Sequence, residues 1–273
     1  MEKVLNKPQN NENSDFIRKL HEIVYEEYSS IPKQIKKDFE KAPSPILEMK
    51  KIALWIDPID STSEYIHGNS PSEDFKQVGL HCVTCLFGVF DLETGLPLLG
   101  VISQPFGNLE EPIWGYRIGE KSMNNIVLND YHSKIADSPV LVGKNESEDL
   151  LLQLQNIANP LYVAGAGHKL LLVIQKRCQA LVTSSKTTYF WDTCAAHAIL
   201  LSLGGGIVSY DCFTTFKHQF LTFHQLLEIQ IRYKSKECIH KYNNCNGLIA
   251  YSSVDMFNKL CAILKKYLFF YLN

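Results

Sequence analysis

Between residues 52 and 116 the apolar positions fall in short β-prone runs; from Pro139 onward such runs alternate with stretches whose apolar residues recur at helical spacing. Ile52-Ala53-Leu54-Trp55-Ile56 predicts a strand. The runs 83–90 and 96–102 flank Asp91-Leu92-Glu93-Thr94-Gly95, whose turn residues predict a β-hairpin, and 114–116 predicts a further strand. After Pro139 the pattern predicts strands at 140–142, 161–164, 180–183 and 207–210. Helices are expected over 147–157, near 169–176 and from Asp192 onward. Alternation of this kind predicts an α/β layered lobe. Two lobes follow, an α+β one over 1–138 and an α/β one over 139–273. Residues 1–15 are polar and Asn-rich and read as disordered, a helix is predicted over 16–28, and Pro32, Pro43 and Pro45 mark a loop. Residues 212–245 are irregular and carry several charges, which predicts an insertion or surface excursion.

Composition narrows the function. The 273 residues suffice for one large domain or two lobes with an ample core. A net charge of -2 with interspersed signs argues against nucleic-acid and polybasic membrane partners. The start Met1-Glu2-Lys3 has no apolar leader, and the 260–272 tail, broken by Lys265 and Lys266, is too short and charged to span a bilayer. A final amphipathic helix is the reading there, and a cytoplasmic, monomeric protein the expectation. The eight cysteines are expected as free thiols, with Cys82, Cys85 and Cys194 in apolar patterns as small buried hydrophobes, and zinc chemistry is not expected.

The candidate chemistry begins at Asp57-Pro58-Ile59-Asp60-Ser61-Thr62. Two acids at a strand end turning into a helix can aim at one point, and hard cations such as Mg²⁺ take oxygen ligands of this kind. Pro58 is expected to stop the strand ladder. Ser61, Thr62 and the first N–H groups of the helix suit a phosphate. A turn in which Asp60 caps a helix accounts for the same residues. A second segment, Trp191-Asp192-Thr193-Cys194-Ala195-Ala196-His197-Ala198, opens a helix with Ala195, Ala196, Ile199, Leu200 and Leu203 on one face, ended by Gly204-Gly205-Gly206. Asp192 stands at its start, where a plain N-cap is the simpler reading of that acid alone.

Taken together, the acid pair and the Trp-Asp helix resemble the lithium-sensitive, Mg²⁺-dependent inositol monophosphatase superfamily. Further stretches are similar to its polyphosphate 1-phosphatase branch: Gly79-Leu80-His81-Cys82-Val83-Thr84, Gly100-Val101-Ile102-Ser103-Gln104-Pro105-Phe106, Ala164-Gly165-Ala166-Gly167-His168-Lys169 and Asn246-Gly247-Leu248-Ile249-Ala250-Tyr251. Ser61 stands where other branches usually carry Gly. The resemblance implies a layered αβαβα sandwich. It also implies two or three Mg²⁺ ions, held by Asp57, the Ile59 carbonyl, Asp60 and Asp192. Asp57, Asp60, Thr62 and Asp192 would be catalytic, with Thr62 orienting the attacking water. Ser61, Thr62, Gly165, Ala166, Gly167 and Lys169 would bind substrate, Lys169 at a phosphate that is not cleaved. Lys186, Thr187 and Thr188 read equally as pocket rim or polar loop.

The implied reaction removes the 1-phosphate of inositol 1,4-bisphosphate or 1,3,4-trisphosphate. A 3′(2′),5′-bisphosphate nucleotidase and a non-catalytic binder of phosphorylated ligands are the alternatives. The family places a Gly-Glu-Glu metal-ligand segment well before the acid turn. No such triplet occurs before Asp57, and Glu26-Glu27 is a weak substitute, so an N-terminally truncated family member with impaired activity is expected.

Overall fold

The computed structural model describes residues 48–68, 78–107, 109, 111–127, 138–212, 220–234, 242–244 and 246–268. The readings for 1–15, the 16–28 helix, Glu26-Glu27, Pro32, Pro43, Pro45 and the last residues of the 260–272 tail lie outside the described residues.

The first sheet is an antiparallel meander of β1 (Ile52–Asp60), β2 (Thr84–Asp91), β3 (Pro97–Ser103), β4 (Ile113–Ile118) and β5 (Lys121–Asn124), in that order. The hairpin between β2 and β3 forms at the predicted place. Asp91 Oδ1 accepts from Thr94 N at 2.6 Å and Thr94 Oγ1 at 2.8 Å, and Gly95 supplies a φ of 74°. β5 has no apolar signature; Lys121-Ser122-Met123-Asn124 is recruited by pairing with β4.

The second sheet contains β6 (Val140–Val142), β7 (Pro160–Tyr162), β8 (Ala180–Thr183), β9 (Gly206–Ser209) and β10 (Leu248–Tyr251), ordered β7-β6-β8-β10-β9. β6 runs parallel to β7 and β8, whereas β10 is antiparallel to β8 and β9. Every residue of β8 and β10 is buried, as expected of strands covered on both faces.

Six helices accompany the sheets among the described residues: α1 (Thr62–His67), α2 (Glu148–Leu154), α3 (Ala166–Ile174), α4 (Phe190–Ser202), α5 (Phe223–Glu228) and α6 (Val254–Leu268). α3 and α4 fill the space between the sheets. Leu86 and Ile102 of the first sheet and Leu141, Leu181 and Ile207 of the second share one core with Leu170, Leu171, Ala195 and Ile199. On the far face of the second sheet, Val140, Val142, Val182 and Ile249 pack with Leu150 and Leu154 of α2 and Phe257 and Leu260 of α6.

The apolar pattern predicts one buried face for α4. Instead Asp192 and every residue from 193 to 201 are buried, because the helix has a sheet on either side. A row of glycines makes room for it: Gly88, Gly100 and Gly115 are register partners across β2, β3 and β4. A Cβ on Gly100 would collide with the Ala195 carbonyl, and one on Gly88 would lie 2.7 Å from Ala195 N. The helix therefore rests on bare backbone.

The segment predicted as a surface excursion is partly core. Leu226 of α5, Gln230 and Tyr233 are buried. Gln230 Oε1 accepts from Ile207 N at 2.9 Å and lies 2.8 Å from His197 Nε2, and its Nε2 donates to Tyr251 Oη at 2.8 Å. One long polar side chain thereby ties α4, β9 and β10 together, which no local periodicity reports. Residues 213–219 and 235–241 of the same segment lie outside the described residues.

Candidate functional site

Among the described residues β1 is an edge strand, and it continues past residue 56 to Asp60, so Pro58 does not end it. Its pairing with β2 is irregular between Asp57 and Asp60, and Pro58 sits in that gap, where a missing N–H is tolerated. Ile59 N donates to Asp57 Oδ1 at 3.1 Å and Thr62 Oγ1 donates to the Ile59 carbonyl at 3.0 Å, which closes the turn. Ser61 takes a left-handed conformation, φ 67° and ψ 46°, at a cost of about 1–2 kcal/mol for a residue with a Cβ. Asp60 is buried, and its Oδ2 accepts from Gly167 N at 2.9 Å and Thr84 Oγ1 at 3.1 Å.

Asp192 lies in the first turn of α4, and its Oδ2 accepts from Tyr189 N at 2.7 Å. The plain N-cap reading does not hold: Tyr189 is the N-cap, and Asp192, at the third helical position, reaches back to its N–H as the acid of a capping box. Asp57, Asp60 and Asp192 each bring a carboxylate oxygen within 4.8 Å of the others, across 135 positions of sequence (192 − 57). Aromatic packing brings the strand and the helix together. Trp55, two residues before Asp57, meets Phe190 at 5.9 Å and Trp191 at 6.0 Å between ring centroids, and its indole donates to the Tyr233 carbonyl at 3.1 Å.

Three carboxylates this close repel one another unless a proton or a cation intervenes. Burial, then the charge of Asp57, pushes the Asp60 carboxyl up to about 6, against the opposing hydrogen bonds from Gly167 and Thr84. Burial and the neighbouring Asp60 and Asp57 push Asp192 up to about 8, and its side chain shares a hydrogen bond with Asp57. An all-oxygen donor set that holds extra protons when bare suits a hard divalent ion such as Mg²⁺. Asp57, Asp60 and Asp192 could hold it.

The 165–167 turn interlocks with the acid turn. A Cβ on Gly165 (φ 82°) would strike Ser61 Oγ, and one on Gly167 would strike Thr84 Oγ1. Both glycines permit this approach, and the Gly167 N–H is committed to Asp60, whose carboxylate it orients. Lys169, one turn into α3, carries its ammonium 5.5 Å from the Tyr162 ring centroid and within the field of Asp60 and Asp192. Burial lowers its pKa while those acids raise it. Lys186 is exposed, and its carbonyl accepts from Asn243 Nδ2 at 3.0 Å.

Two residues of this neighbourhood have no role assigned from the sequence. Thr84 opens an apolar strand, and only its partner 24 positions away explains it. Glu146 sits in a polar loop, where it accepts from Thr183 Oγ1 at 2.7 Å and Ser184 N at 3.0 Å, and its field reaches Lys169.

Comparison with known proteins places the chain in a family. The chain is 34% identical over 230 residues to the inositol polyphosphate 1-phosphatase of Mus musculus, covering 75% of this chain and 58% of that protein. It is 33% identical over 231 residues to the Homo sapiens protein of the same name, covering 74% and 58%. A 3′(2′),5′-bisphosphate nucleotidase 1 from Mus musculus is 28% identical over 185 residues, covering 60% and 53%. The chain thus spans somewhat over half the length of these relatives. The fold is that of inositol monophosphatases. The Anabaena enzyme superposes with a TM-score of 0.51 at 18% identity (79% of this chain, 72% of that one), and the Thermotoga maritima enzyme with 0.50 at 16% (86% and 78%). The model of the inositol monophosphatase family matches residues 14–246, and the chain belongs to that family.

Proposed function

We propose that the chain is a Mg²⁺-dependent phosphatase that removes the 1-phosphate of inositol 1,4-bisphosphate and 1,3,4-trisphosphate. The convergence of Asp57, Asp60 and Asp192 beside the 165–169 turn carries this reading. The relatives named inositol polyphosphate 1-phosphatase support the substrate class. Bound at the three acids, Mg²⁺ would neutralise phosphate oxygens and make water more acidic. The Thr62 hydroxyl spends its proton on the Ile59 carbonyl, so its oxygen is left to accept a hydrogen bond from the attacking water. Ser61 Oγ and the Gly165-Ala166 backbone would face the phosphate and the ring. Lys169 would meet a phosphate that stays. On the same reading the acid turn belongs to a lobe over 1–138, the inositol-facing residues to a lobe over 139–273, and the protein works as a cytoplasmic monomer. No helix among the described residues is long and apolar enough to cross a membrane.

The test is phosphate release from inositol 1,4-bisphosphate by purified 1–273 across a Mg²⁺ titration, with adenosine 3′,5′-bisphosphate in parallel. Release that requires Mg²⁺ and falls about a hundredfold or more in Asp57→Asn is expected. Faster release from the adenosine compound would assign the chain to the nucleotidase branch. Tight inositol bisphosphate binding without turnover would leave the non-catalytic reading.

A further inference from the structure

A second cluster of metal-ligand type lies beside the acids and is used by none of the chemistry above. We propose that His81, Cys82 and His168 form a separate site for a borderline or soft divalent ion of the Zn²⁺ class. Each offers one ligand atom, and the three atoms lie within 4.8 Å of one another. Cys82 Sγ is 3.3 Å from His81 Nε2, and the two imidazoles meet edge to face at 5.3 Å. Ligand atoms around a tetrahedral zinc ion stand about 3.3–3.6 Å apart, so shifts of roughly an ångström close the set. Nitrogen and thiolate donors select Zn²⁺ over Mg²⁺, which keeps this site chemically distinct from the carboxylates.

The surroundings suit a cation. Cys82 and His168 are buried and His81 is half-buried, which leaves a solvent side for the fourth position of the ion. Gln104 braces both histidine segments, donating to the His81 carbonyl at 2.5 Å and lying 3.2 Å from His168 Nδ1. Burial, then the charges of Glu64 and Asp60, push the Cys82 thiol up to about 12, so it is protonated until an ion displaces the proton. Burial depresses His168 to about 3, so its imidazole is neutral; its Nδ1 lone pair faces the Gln104 amide, and an ion would have to take the place of that contact. On binding, the S–H bond breaks, its electron pair forms the sulfur–metal bond, and the proton leaves to solvent. Cys82-Val83-Thr84-Cys85 is a Cys-x-x-Cys pair, which reading both residues as buried hydrophobes passes over. Cys85 is only half-buried and donates to the Pro58 carbonyl at 3.0 Å. The sequence therefore hides the site, because its third ligand lies 86 positions on (168 − 82).

An ion here would pin the Leu80–Cys82 turn to the start of α3, next to the Gly165–Ser61 contact. The test is equilibrium dialysis of the full chain against Zn²⁺ with excess Mg²⁺, and titration with Co²⁺ as a spectroscopic substitute. One Zn²⁺ per chain and a thiolate-to-cobalt charge-transfer band are expected. His168→Ala should weaken binding at least tenfold, and Cys82→Ser should abolish the band, whereas Asp57→Asn should change neither. If the buried variants fail to fold, the half-buried His81→Ala decides, with the same tenfold loss expected. Unchanged affinity in His81→Ala, or Co²⁺ binding with no thiolate band, would overturn the proposal.

Discussion

Asp192 is pulled in two directions. As the acid of a capping box it is stabilised in its ionised form by the Tyr189 N–H and by the positive end of α4, while Asp57 and Asp60 beside it favour the protonated form. A cation satisfies both demands, which is why an acid in this position is tolerable in a buried site. Lys169 is the complementary case, a cation one turn into α3 within the field of the same acids. If it meets a phosphate that is not cleaved, it serves ground and transition states alike. Lys169→Ala should then raise KM roughly tenfold, about 1.4 kcal/mol, with kcat nearly unchanged. A steady-state comparison of kcat and KM for inositol 1,4-bisphosphate checks this, and a loss confined to kcat would contradict it. The three acids were legible because each stands in a short motif with a strand or helix terminus. Thr84 and Glu146 were not, since their partners lie 24 and 37 positions away.

At the scale of elements, α4 and β1 set the site, and two devices hold them together. The Trp55–Phe190–Trp191 aromatic group joins the strand end to the helix start, and the Gly88–Gly100–Gly115 row lets the helix body settle on the sheet. Gly100→Ala should be severe, because its Cβ meets the backbone of Ala195, which cannot rotate away as a side chain could. Destabilisation of about 3 kcal/mol or more is expected, and on the proposed function phosphate release should be lost as Asp192 moves from Asp57. Denaturant unfolding measures the first and phosphate release the second; a variant of wild-type stability would show that α4 can lift from the sheet. Most strands were legible from apolar runs. Three features were hidden: β5 is polar and borrowed by its neighbour, the burial of α4 on every side goes beyond the one apolar face its spacing shows, and Gln230 and Tyr233 are core residues in a stretch without period.

Over the whole molecule the crowded acids make stability depend on pH and metal together. Asp60 and Asp192 hold protons up to about 6 and about 8, against 3.8 for an ordinary aspartate. Across that window the folded chain binds more protons than the unfolded one, so metal-free stability falls as pH rises from about 4 to about 8. The contribution is fully present below about pH 4 and gone above about pH 8. Mg²⁺, binding only the folded state, should raise Tm most at the alkaline end. Thermal unfolding with chelator and with millimolar Mg²⁺ at pH 5 and pH 8 tests this; a metal-free Tm that climbs with pH would mean that the acids ionise at no cost.

The sandwiching of α4 between two sheets also fixes when its amides can reach water. A helix with no solvent face cannot fray in the middle, so amides 194–200 should exchange with deuterium only when the entire domain opens, whereas α1, which buries none of its residues, should exchange early. Among the described residues, the three acids would then lie between a slowly exchanging helix and an early exchanging one. Asp192 rides on a helix with no solvent face, and Asp57 and Asp60 stand at the end of β1, just before the exposed α1. Adjustment to an arriving ion would accordingly come from the 57–62 side.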